Sequence, residues 1–170
     1  MHAADVAIDI TEVDSSAMYP LGQEFYSPAT SQASVTTSKP AANTGPRVWV
    51  YVFNDEASTA FAQGTIVMRD EDTATYDGIA TTGATIPAIR LLGVAQHAVA
   101  AGSYGWILKR GVGKVLCNGS VSAHTAICTS STAQQAVDYA AGEEEGIFGF
   151  AIADDAGAGS VVDAMINCPG

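Results

Sequence analysis

The sequence predicts a mainly β fold, a compact β-sandwich or β-barrel with an extended N-terminal arm. Three observations predict it. Arg47-Val48-Trp49-Val50-Tyr51-Val52-Phe53 is β-branched or aromatic at every position after the arginine. Short apolar runs of the same kind recur downstream, with glycines or acids at the breaks. Proline and glycine are also partitioned: Pro20, Pro28, Pro40 and Pro46 precede residue 47, whereas 15 of the 17 glycines follow it.

Residues 1–46 read as the arm and residues 47–170 as the core domain. From Ser27 to Gly45 the arm is Ser, Thr, Ala, Pro and Asn with little to bury, so alone it cannot offset the entropy of being ordered. Its head carries Val6, Ile8 and Ile10 in alternation, followed by Tyr19, Leu21, Phe25 and Tyr26. These seven side chains are the candidate partner-binding residues, ordered against a neighbour. A disordered tail with one edge strand is the plainer alternative.

In the first core strand Trp49, Tyr51 and Phe53 share one face and Val48, Val50 and Val52 the other. Neither face is polar, so both require cover. One reading is an internal strand; the other puts Trp49, Tyr51 and Phe53 at a subunit contact, where Trp and Tyr are favoured. Further strands are expected at 65–69, 74–80, 89–95, 104–109, 112–117, 125–129, 136–139, 147–153 and 161–167. Asp55–Ala62 reads as a short helix or an irregular loop. Arg110-Gly111 reads as a turn, which clusters Lys109, Arg110 and Lys114 as a candidate basic patch at a hairpin tip. Asn118-Gly119 carries the signal of a two-residue hairpin turn, which needs φ > 0 at both central residues.

Two stretches echo each other. Leu92-Gly93-Val94-Ala95 precedes Ala101-Gly102-Ser103 and the apolar run Tyr104–Leu108, and Phe148-Gly149-Phe150-Ala151 precedes Ala158-Gly159-Ser160 and Val161–Ile166. The offset is 56 residues at Gly93/Gly149 and 57 at Gly102/Gly159. This predicts two related β-hairpin units within one barrel or sandwich. Two units are too few for a solenoid.

Charge narrows the function classes. Of the formal net charge of −11, residues 1–46 carry −4, residues 47–114 are neutral and residues 115–170 carry −7 without a single base. An acidic surface repels phosphate backbones, so no nucleic-acid partner is expected. Apolar runs fall short of the roughly 20 residues that cross a bilayer, so no membrane partner is expected either. The start lacks the basic and apolar regions of a secretory signal.

Nucleophile motifs are missing. There is no G-x-S-x-G, and His2, His97 and His124 have no local tie to a Ser or Cys. Gly111-Val112-Gly113-Lys114 lacks the earlier glycine and the following Ser/Thr of a phosphate loop. Cys117, Cys128 and Cys168 lack zinc-site spacing and read as buried thiols, with a Cys117–Cys128 or Cys128–Cys168 bridge left open. The acids at 70–72, 143–145 and 154–155 have no calcium-loop spacing. No catalytic residue, cofactor or metal is expected.

The run from Leu92 through Gln96-His97-Ala98 to Trp106 resembles small tailed-bacteriophage head decoration, or cement, proteins. So does the ending Phe148-Gly149-Phe150-Ala151, Asp155-Ala156-Gly157-Ala158-Gly159-Ser160 and Ile166-Asn167-Cys168. The resemblance covers about residues 47–168 and leaves the arm unmatched. It implies a non-enzymatic structural virion protein, made in the host cytoplasm, that binds the major capsid protein on the capsid exterior. Such a protein is a homo-oligomer, with a trimer favoured over a dimer. The alternative is a β-sandwich binding module, such as a head fibre or a glycan-binding adhesin, with Tyr104 and Trp106 lining its site.

Overall fold

The computed structural model describes residues 8–27, 45–70, 76–84, 86–142 and 144–170. Val6 and most of the Ser27–Gly45 run lie outside them. The chain is mainly β, as expected. The arm contributes β1 (Val13–Asp14) and β2 (Glu24–Ser27), and β3 (Arg47–Asn54) opens the core. β4 (Ile66–Arg69), β5 (Asp77–Ala80), β6 (Leu91–Val94) and β7 (Tyr104–Asn118) follow. The second half holds β8 (Ala126–Thr129), β9 (Ala136–Asp138), β10 (Gly149–Ala151) and β11 (Ala158–Asn167).

The pairings close into two circuits that share β7. The first runs β3–β5–β4–β6–β7 and returns to β3. The second runs β7–β9–β8–β10–β11 and returns to β7. In both, the link from the first strand to the second in this order is parallel and every other link is antiparallel.

The correspondence holds residue by residue. Trp49↔Leu108, Tyr51↔Trp106 and Phe53↔Tyr104 in the first circuit match Val112↔Met165, Lys114↔Asp163 and Leu116↔Val161 in the second. Val67↔Gly93 matches Ile127↔Gly149, and Val94↔Leu108 matches Phe150↔Met165. Backbone contacts repeat as well: the Gly64 amide donates to Ala95 O at 2.7 Å, and the His124 amide to Ala151 O at 2.9 Å. Both donors have positive φ, +89° at Gly64 and 67° at His124. The echo in the sequence is therefore a duplicated five-strand unit, larger than the hairpins expected.

Each circuit has an apolar side. Val50, Val52, Phe61, Val67, Leu92, Val99 and Ile107 form one buried cluster. Val115, Cys117, Ile127, Phe148, Val162, Ala164 and Ile166 belong to a second, which extends to the outer face of the first circuit through Trp49, Tyr51, Trp106 and Leu108. The period-two alternation of β3 is what places its valines in one cluster and its aromatics in the other.

One expected turn is absent and one expected hairpin does not form. Arg110-Gly111 is not a turn: β7 runs unbroken through it for 15 residues, with Gly111 at φ +116°. Apolar content on both sides and antiparallel partners on both flanks keep the strand going. Asn118-Gly119 does end β7, with the Ser120 amide bonded to Asn118 Oδ1 at 3.1 Å, but β7 and β8 are not paired, so it makes no hairpin. Residues 55–62 form an irregular segment that ends in the bridge Phe61↔Val99.

Candidate functional site

The described arm packs on its own core. Ile8, Ile10, Tyr19, Leu21 and Phe25 all lie against the larger apolar cluster. β2 extends the sheet beside β3, with Phe25 opposite Trp49 and Tyr26 opposite Val48. Tyr19 meets the rings of Tyr51 and Trp106 at 5.3 and 5.2 Å, and Phe25 meets Trp106 at 6.1 Å. Polar contacts fix the same segment: the Met18 amide donates to the Tyr51 hydroxyl, which donates to Asp14. The expectation that these residues await a neighbour is corrected for 8–27, because the chain's own aromatic face is their partner. Tyr26 is the exception, at 62% exposure.

The expected subunit contact is corrected for the same reason. Trp49 and Tyr51 are 2% and 0% exposed within the single chain. Phe53 is partly buried against Tyr104, with ring centroids 4.8 Å apart. Trp106 is buried too, which removes the anchor of an aromatic glycan site.

Nor do the three basic residues form a patch. The β3–β7 register shifts so that Val48 faces Arg110 and Trp49 faces Leu108, leaving Lys109 as an extra residue in a bulge. Its ammonium is buried and holds Glu24 of β2 at 2.6 Å. Lys114 pairs instead with Asp163 of β11 at 2.8 Å. Of the three, only Arg110 is exposed.

Three of the acids after residue 137 have structural partners. Asp138 accepts the Ser122 amide, Asp154 the Ala123 amide at 2.8 Å and Asp155 the Val121 amide at 3.2 Å, so all three hold the loop before β8. Among the described residues no group of His, Cys, Asp or Glu is arranged to hold a metal ion. The three cysteines are buried and none is bridged to another.

What the structure exposes is the outer face of the second circuit, which sequence reasoning did not single out. β10, β11 and β7 lie side by side there. One cross-strand row is Phe150–Met165–Val112, the next holds the Asp163–Lys114 ion pair, and the third is Val161–Leu116. Ile152 extends the face, its amide bonded to Asp163 O at 2.8 Å. Phe150, Met165, Ile152 and Val161 are 55, 47, 43 and 38% exposed. With strand spacings of about 4.8 Å and about 3.4 Å per residue, three strands and three rows cover on the order of 300 Å², at the lower end of the largest patches of an ordinary monomer. Its sequence signal was visible in part: Val161, Met165 and Phe150 alternate with residues that fill the core.

No protein-family model matches the chain, and no curated protein sequence does. Among solved structures, the chain is similar to the N base of head fiber gp8.5 in bacteriophage phi29. The likeness has a TM-score of 0.49 and 13% identity, over 70% of this chain and 92% of that one.

Proposed function

We propose that this protein is a structural component of a tailed-phage head, a decoration or cement protein that binds the outer surface of the capsid lattice and stabilises it. The observation that supports this reading is the outward face of β7, β10 and β11, a surface suited to the copy-to-copy contacts of a homo-oligomeric virion protein. Four large apolar side chains stand on it, on a chain whose net charge is −11. An exposed face with apolar rows on either side of an ion pair favours association with protein, since burying those rows releases water from apolar surface.

The resemblance of residues 47–168 to phage decoration proteins names the class of partner, the major capsid protein. In this reading the protein performs no chemistry and takes no cofactor. It acts on the capsid exterior as a homo-oligomer, where repetition over a symmetric lattice multiplies modest contacts through avidity.

Co-sedimentation with capsids built from the major capsid protein of the same phage tests the proposal. The expected result is saturable binding at a fixed number of copies per capsomer, with a raised capsid melting temperature. Absence of co-sedimentation at micromolar concentrations overturns it.

A further inference from the structure

We infer that the outward face of β7, β10 and β11 is where a second copy of this chain docks. The inference rests on reading that face as a protein-binding surface, and it names the partner there.

The duplication carries it. Each residue of this face has a counterpart on the first circuit: Tyr51↔Trp106 stands where Lys114↔Asp163 stands, Trp49↔Leu108 where Val112↔Met165 stands, and Val94 where Phe150 stands. On the first circuit that face is buried, beneath the arm and the second circuit of the same chain. On the second circuit the equivalent positions remain apolar at Phe150, Met165, Val112, Val161 and Leu116, yet Phe150, Met165 and Val161 stand in solvent among the described residues. A repeated unit that covers a face in one position and leaves its equivalent open presents an unfinished interface.

Charge selects the occupant. Residues 115–170 contain seven acids and no base, so two copies meeting elsewhere on this half would bring like charges together. On this face Asp163 is already paired with Lys114, and the two are about equally exposed, at 49 and 42%. A two-fold axis over the pair sets Lys114 of one copy beside Asp163 of the other, with the apolar rows meeting on either side. Such an arrangement is self-complementary, as an isologous contact requires. It makes a dimer, not the trimer that the resemblance favours, the assembling unit.

Sedimentation of the full chain tests this. The wild type is expected at twice the 17.4 kDa monomer mass. Phe150→Asp/Met165→Asp is expected as a monomer with unchanged circular dichroism, since both side chains are solvent-facing. Lys114→Asp alone is expected to weaken association by about tenfold or more, with Lys114→Asp/Asp163→Lys restoring it; this pair of variants decides the matter should the first fail to fold. A wild-type monomer at about 100 μM, or a dimer indifferent to these substitutions, overturns the inference. Capsid co-sedimentation is scored separately. A dimer broken by these variants that never binds capsids keeps the inference and loses the proposed function. A monomer that binds capsids does the reverse.

Discussion

The Tyr51 hydroxyl, on the buried face of β3, donates a 2.6 Å hydrogen bond to Asp14, 37 residues earlier in the arm. The same oxygen accepts the Met18 amide at 3.3 Å. One phenol thus ties two points of the N-terminal segment to the core, beneath Tyr19 and beside Trp106. Burial first, and then the bond to Asp14, hold the phenol's pKa well above its usual 10.0.

Tyr51→Phe is expected to lower stability by about 1 kcal/mol, the usual net worth of one such bond, and more if Asp14 stays poorly solvated. Hydrogen exchange should quicken most in residues 8–27. The linkage has a definite sign. A phenol whose pKa is raised by folding contributes stability that is fully present below the unfolded value near 10 and lost as pH rises beyond it. Wild type should therefore lose melting temperature above pH 10 faster than Tyr51→Phe. Parallel pH–melting curves for the two would contradict this.

Glu24→Gln leaves the Lys109 ammonium buried without its counter-charge. Glu24 is itself half exposed, so solvent tempers the loss, and about 1 kcal/mol is expected. The loss should include earlier proteolysis of the β2 segment. Glu24→Gln/Lys109→Met should recover most of it, because an apolar side chain suits the bulge position. A double variant no more stable than the single one would show that the pair's charge is not the source of the cost.

The duplicated glycines give a matched set of substitutions. A Cβ at Gly93 would lie 2.7 Å from Leu108 O, and one at Gly149 would run into Met165 O, so either alanine forces two strands apart. Each is expected to cost about 2 kcal/mol or more in chemical denaturation. The converse applies to His124, which holds a φ of 67° where its counterpart is Gly64. His124→Gly is expected to gain up to about 1 kcal/mol, the steric penalty of a left-handed residue minus the glycine's added unfolded-state entropy. A loss of stability there would break the analogy between the two turns.

Burial pushes the thiols of Cys117 and Cys168 up to about 12. At pH 8 their thiolate populations are on the order of one in ten thousand, so iodoacetamide should leave both unmodified in the folded protein and label both in denaturant. Mass spectrometry after brief native labelling reads this directly. Rapid native alkylation of either cysteine would mean that its cover opens.

Strand content was legible because it depends on local chemistry. Arg47–Asn54 announces itself by β-branched and aromatic residues, and the echo at Gly93 and Gly149 marks a contact in which each glycine meets the carbonyl of the returning strand. Gly111 was misread because glycine signals a turn and a mid-strand kink with the same letter; strands on both flanks made it the second. The outward face was illegible as a surface. Val161 and Val162 are the same residue type and differ only in which side of β11 they occupy.

By itself, the sequence determined the mainly β class, the period-two alternation of the strands, the repeat at 56 to 57 residues and the acidic, base-free last third. Only the tertiary structure decided the covering. It placed Trp49, Tyr51 and Trp106 beneath residues 8–27, and it left the matching positions Val112, Lys114 and Asp163 beside exposed Phe150 and Met165. Alternation specifies that a strand has two faces, but which face meets solvent depends on what other segment reaches it. That is set by strand pairing between residues far apart in the chain, as Tyr51 and Asp14 are.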